Sequence, residues 1–210
     1  ARGQGSLTLS SPPTFASSPT GNLGTASQTA HALLMLIAFG VILPFGVLFG
    51  RNAKSVRPKS NPPVWFLVHR GVQLAGMVVA IAAAIVQFAT LTCHFCTPNH
   101  TQIGITALCG GVIQILLGFI RPHPPVPGEK KRVSRHIWEA AHMGLGYSTL
   151  VLGYAALFTG IIQAQYPFTT ALLVALGVWV GIHLALLIIL EGTTNRTYRR
   201  KQKESAHEMQ

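Results

Sequence analysis

Residues 136–160 read HIWEAAHMGLGYSTLVLGYAALFTG, and the reading of this stretch decides the fold. It is apolar and long enough to cross a bilayer, which takes about 20 residues of helix, yet it carries His142 near its start. Glycines follow that histidine at Gly146, Gly153 and Gly160, at plus 4, plus 11 and plus 18. At about 3.6 residues per turn these positions share one helix face with the histidine. An ionisable ring at the head of a glycine-lined membrane face is costly unless it has a partner and a task.

Working outward, four further runs match it in length and apolar character. Together they predict five spans at about 30–50, 64–91, 102–120, 136–162 and 168–190. Their interiors hold almost no Lys, Arg, Asp or Glu, and a backbone in lipid must satisfy its own hydrogen bonds, so each run reads as helix. The chain has 210 residues, 49% hydrophobic and only 10% charged. The expected fold is an all-α membrane protein, a bundle of five transmembrane helices around a four-helix core. Residues 1–28, rich in Ser, Thr, Pro and Gly, are expected to form an extended extracytoplasmic segment suited to tethering an external domain. Residues 29–192 are the membrane domain, and 193–210 a basic polar tail. Pro44 is expected to kink the first span.

The formal net charge of +11 invites a nucleic-acid reading, but its placement argues otherwise. Arg51, Lys54, Arg57 and Lys59 follow the first span; Arg121, Lys130, Lys131, Arg132 and Arg135 separate the third from the fourth; Arg196, Arg199, Arg200, Lys201 and Lys203 follow the fifth. These are fourteen of the sixteen basic residues, all on one side of the weave. The positive-inside rule places that side, with the C-terminus, in the cytoplasm and the N-terminus outside. The basicity encodes topology, and no nucleic-acid partner is expected.

His31, His69, His100 and His142 each stand near the N-terminal end of a different span. Spans one and three run in the same direction, so His31 and His100 share the outer face. Spans two and four run the other way, so His69 and His142 share the inner face. Two imidazoles facing each other across a bundle suit one six-coordinate metal centre, and two such pairs suit two stacked haems b. Zinc needs four ligands converging on one point, which opposite-face pairs do not supply. The third span repeats the fourth: Gly104, Gly111 and Gly118 stand at plus 4, plus 11 and plus 18 from His100. Each last glycine lies about 27 Å from its own histidine, where a haem at the other face needs room. Gly104, Gly111, Gly118, Gly146, Gly153 and Gly160 are therefore expected to pack against haem.

These residues carry a resemblance. AHALLMLIAFGVILPFGVLFGR (30–51), WFLVHRGVQ (65–73), NHTQIGITALCGGVIQILLGFIRP (99–122) and HIWEAAHMGLGYS (136–148) resemble the four core helices of the cytochrome b561 family, most of all members fused to a DOMON domain and ferric reductase relatives. The resemblance covers roughly residues 28–165. It implies two haems b, one held by His31 and His100 and the other by His69 and His142. It also implies an oxidoreductase that carries electrons from cytoplasmic ascorbate to an outer acceptor, whether ferric chelate, monodehydroascorbate or an extracellular redox domain. No residue acts as nucleophile or general base. Two rival readings stay open: the membrane cytochrome b subunit of a quinone-linked dehydrogenase, and a non-redox transporter or scaffold whose histidines relay protons. A homodimer is also left open.

For the anionic donor, Arg70 beside His69 is the first candidate, with Arg135, Lys131 and Arg51 completing the site. Snorkelling of Arg70 and the positive-inside rule for the others are the competing explanations. Arg135 and Glu139 form an i, i+4 couple. Trp138 and Tyr147 read as packing groups, and His183, without a partner in register, as a packing or hydrogen-bonding residue. Cys93 and Cys96 flank His94 as C-H-F-C, which is not the c-type haem signature; a small-loop disulfide is compatible with an oxidising outer face. Cys109 is expected to pack in mid-membrane.

Overall fold

The computed structural model describes residues 21–53, 63–90, 98–122, 132–165 and 167–208. Every regular element among them is helical: α1 (Gly21–Met35), a π-helical segment (Leu36–Ile42), α2 (Leu43–Asn52), α3 (Val64–Thr90), α4 (Pro98–Phe119), α5 (Val133–Ala164) and α6 (Thr169–Glu208). α1, the π segment and α2 run on from one another as the first span. Five stretches are long and apolar enough to cross a bilayer, with mean hydropathy between 1.6 and 2.7. The chain is an all-helical multi-pass membrane protein.

The helices start and stop where local chemistry dictates. Pro63 precedes α3, and its carbonyl accepts from Phe66 and Leu67 N–H at 3.0 and 3.3 Å, closing the first turn. α5 ends at Gln165, whose φ of 49° is the left-handed geometry that turns a chain out of a helix. Pro44 has no N–H to give to the carbonyl of Gly40, four residues back, and its ring crowds that carbonyl. The chain answers not with a simple kink but with a wider turn. Leu43 N–H bonds the carbonyl of Ala38, five residues back, and Leu36–Ile42 take π geometry.

Two ends differ from the sequence expectation. α1 begins at Gly21, inside the 1–28 segment expected to be extended. One reason is a tether to α3: Thr90 Oγ1 donates to Ser27 Oγ at 2.9 Å, and Ser27 is buried. α6 continues to Glu208, through the residues read as a polar tail. That stretch is rich in Arg, Lys, Gln and Glu, good helix formers, so an already nucleated helix propagates past the hydrocarbon.

α3 packs along the whole first span and α4 along α5, while α6 leans on α5 and the end of α2. The central buried cluster is small: Ala38, Phe39, Leu43, Met77, Ala80 and Ala107. Large apolar side chains such as Val78, Ile85, Val151 and Ile188 point outward, the inverse of a water-soluble protein. Gly153 lets Phe39 into the core, because a Cβ there would fall within the Phe39 ring. Gly153→Leu is therefore expected to cost about 1–3 kcal/mol by overpacking and to lower the melting temperature in detergent. Gly177→Leu on α6, where a Cβ meets nothing within 4 Å, is expected to leave it unchanged.

Candidate functional site

The four span-head histidines meet in two pairs. His31 of α1 faces His100 of α4 with ring centroids 6.2 Å apart and planes at 88°. His69 of α3 faces His142 of α5 at 6.4 Å and 77°. Metal–imidazole bonds run about 2.0–2.1 Å, so two rings bonded to one ion from opposite sides stand about this far apart. Among the described residues no three His, Cys, Asp or Glu converge on one point. The donor set is two nitrogens per centre, which fits an ion whose remaining ligands come from a macrocycle.

Backbone carbonyls of neighbouring helices fix three of these rings. His31 Nδ1 lies 2.9 Å from the Ala83 carbonyl, His69 Nδ1 2.8 Å from that of Gly46, and His100 Nδ1 3.1 Å from that of Ala156. A carbonyl only accepts, so Nδ1 carries the proton and Nε2 keeps its lone pair for a metal. His142 is oriented otherwise: its ring stacks on Trp138 at 4.8 Å and 10°, and its own carbonyl accepts from Gln114 Nε2.

The glycines divide by what a Cβ would meet. At Gly160 it would press on His100 Cε1 at 3.0 Å, so this glycine of α5 lies beside the opposite pair. Gly118 has open space and, with Gly111 and Gly146, lines a cavity that also contains His69 and His142. A Cβ at Gly111 would strike Met77 Sδ at 2.5 Å, and one at Gly146 would strike Gln114. Gly153 packs on Phe39, and Gly104 meets nothing within 4 Å. One glycine escaped sequence reasoning. A Cβ at Gly50 would overlap the His69 imidazole, just as Gly160 abuts His100. Gly50 stands at plus 19 from His31, not plus 18, so the pattern hid it. A π turn takes up about one residue more than an α turn, and the segment Leu36–Ile42 absorbs the difference. Pro44 was the available signal.

The cavity has a volume of about 310 Å³ and runs from Phe39 and Met77 in the core to a cationic mouth. Arg51 there is ion-paired with Glu191 of α6 and contacts Met143 Sδ at 3.3 Å. Arg135, almost fully buried, bonds Glu139 at 2.8 Å and the Pro122 carbonyl. Arg70 and Arg121 flank one ring, with guanidinium carbons 5.7 and 4.6 Å from the Phe66 centroid. Among the described residues, four guanidiniums face two carboxylates here, an excess of two positive charges. Burial, with repulsion from Arg135, pulls Arg121 below the ordinary arginine range, against the pull of Glu139. Sequence reasoning took Arg121 for a loop base; it does lie just past the end of α4, and there it lines the cavity beside Phe66. Lys131, His94, Cys93, Cys96 and His123 lie outside the described residues. His183 is buried on α6, its Nδ1 2.8 Å from the Tyr154 hydroxyl, and Cys109 is exposed on α4.

The chain is similar to known proteins over most of its length. A family model described as eukaryotic cytochrome b561 matches residues 30–169. The chain is 30% identical over 165 residues to a cytochrome b561, DM13 and DOMON domain-containing protein of Arabidopsis thaliana, covering 77% of this chain and 18% of that one. A second Arabidopsis thaliana protein, named for cytochrome b561 and DOMON domains, is 29% identical over 142 residues, covering 67% and 33%. A Xenopus laevis protein named for ferric-chelate reductase activity is 24% identical over 170 residues, covering 77% and 27%. The chain thus spans between about a fifth and a third of the length of these relatives.

The contact of Gly50 with His69 makes a direct test. Gly50→Val is expected to displace the His69 ring and lower the haem-to-protein ratio of the purified protein. Gly177→Ala on α6, outside the four-helix core and with nothing within 4 Å of a Cβ, is expected to leave that ratio at the wild-type value; an equal loss in both would remove the special role of Gly50.

Proposed function

We propose a function from one premise: the chain belongs to the cytochrome b561 family. The family brings haem b and electron transfer across a membrane with it. His31 and His100 hold one haem b through their Nε2 atoms, and His69 and His142 hold a second. The observation that carries this reading is the two facing pairs, at opposite ends of one four-helix core, each set for a single ion. Haem b supplies reversible one-electron iron chemistry, which none of the twenty side chains offers in an apolar interior.

The chain's own residues do the rest. The carbonyls of Ala83, Gly46 and Ala156 keep three imidazoles in the ligating tautomer. Gly50, Gly118 and Gly160 let the macrocycles lie against helix backbone. The lipid-facing apolar shell excludes water and ions from the path between the pairs. The His69–His142 end is cytoplasmic by the positive-inside rule. There the donor is ascorbate, an anion that the surplus charge of the mouth attracts. Arg70 and Arg121 are its main binding groups, since Arg51 and Arg135 are engaged by Glu191 and Glu139. At the His31–His100 end the acceptor is ferric chelate, monodehydroascorbate or a partner redox domain, the last being the arrangement suggested by the DOMON-containing relatives.

Purified protein is expected to give a b-type spectrum on dithionite reduction and about two haems per chain by pyridine haemochrome. His31→Ala and His69→Ala are each expected to remove one haem and spare the other; colourless wild-type protein from haem-replete cells ends the reading. In stopped-flow mixing with ascorbate, Arg70→Ala and Arg121→Ala are expected to slow reduction by more than Arg51→Ala. Equal rates in all three would take the donor away from this mouth.

A further inference from the structure

The family model ends at residue 169, so α6 lies beyond it, yet α6 sends polar groups from one face into the four-helix core. Trp179 Nε1 donates to the backbone carbonyl of Gly40 at 2.6 Å, His183 meets Tyr154, and Glu191 pairs with Arg51. The first of these is unusual in its target. Gly40 is the residue whose carbonyl Pro44, lacking an N–H, cannot serve, and it lies inside the π segment. In lipid that carbonyl has no water to turn to, and the Trp179 indole gives it a donor from another helix at the turn itself.

We propose that Trp179 is a positioning residue for the His31–His100 centre: its indole N–H holds the Pro44 π turn, and that turn sets the rotation of His31 relative to Gly50. This rests on the ligation proposed above. The direction of the effect follows from where the first span is fixed. α2 is held by His69 Nδ1 on the Gly46 carbonyl, by Gln73 on the Leu43 carbonyl at 3.2 Å, and by the Arg51–Glu191 pair. α1 is held at its far end by the His31 contact with Ala83 and by Ser27 with Thr90. When the turn between them tightens, the better-fixed α2 stays and the rotation is delivered to α1. The His31 ring therefore moves and the His69 ring does not.

The test uses the full chain, purified with its haem, as wild type, Trp179→Phe and Trp179→His. Phenylalanine keeps an apolar ring and removes the donor; histidine restores an N–H. Trp179 is 43% exposed, so neither change opens the core. The readouts are the low-spin ferric EPR signals, which report the angle between axial imidazole planes, and the two midpoint potentials, with His31→Ala identifying the signal of that centre. Trp179→Phe is expected to keep both haems, shift the His31–His100 signal and potential, and leave the other pair unmoved; Trp179→His is expected to return the signal toward wild type. Coincident wild-type and Trp179→Phe signals overturn the inference. So does a parallel shift or joint loss of both centres, which is how a merely structural helix contact behaves. If the wild type itself lacks two bis-histidine signals, the ligation reading falls and takes this inference with it.

Discussion

Everything in this molecule depends on one constraint: inside the hydrocarbon a polar group must find its partner within the protein. The histidines meet that constraint and use it. Each clamping carbonyl belongs to a different helix from the ring it holds, Ala83 on α3, Gly46 on α2 and Ala156 on α5. The same hydrogen bond therefore joins two helices, selects the tautomer and aims Nε2 at the facing ring. A helix C=O is normally committed to its own ladder but has a second lone pair, which serves the imidazole without breaking the helix. Removing water leaves few alternatives; at His100 the Thr159 hydroxyl, 3.3 Å from Nδ1, is one.

Close approach is the second requirement, and glycine supplies it in three different ways. Gly160 and Gly50 admit an imidazole from another helix, Gly153 admits the Phe39 ring, and Gly118 leaves the space beside α4 open. Glycines on three helices thus cover distinct jobs, fixed by what each neighbour presents. The pairing of Gly50 with His69 and of Gly160 with His100 repeats one device at both ends of the core, and only the π turn in the first span conceals it.

Much of this was legible in the sequence, and the rest was hidden for identifiable reasons. Four histidines at span heads and matched glycine rows in α4 and α5 follow a fixed period, and a period survives translation into three dimensions. Gly50 broke the period by one residue, and the compensating π turn is a response to Pro44 that periodicity cannot anticipate. The i, i+4 couple of Arg135 with Glu139 was legible in the sequence, but Arg51 read as a free cation because its carboxylate, Glu191, comes from 140 residues away. Arg121 was correctly placed after the third span, but its ring contacts with Phe66 and Trp65 are long-range facts that the sequence does not carry. The early start of α1 depends on a side-chain contact with α3, and the late end of α6 on propagation from a span already formed.

The small central core has a consequence for biogenesis. Its buried cluster contains three alanines and only three larger side chains, beside a cavity of about 310 Å³. On the ligation proposed above, packing that most helical bundles draw from leucine and isoleucine falls in part to the haem beside His69 and His142. A ligand that binds only the folded state stabilises it by mass action, so insertion of the pigment and completion of the tertiary structure become a single event. On the haem ligation proposed above, the amount of mature protein in a membrane follows the supply of its prosthetic group as much as translation.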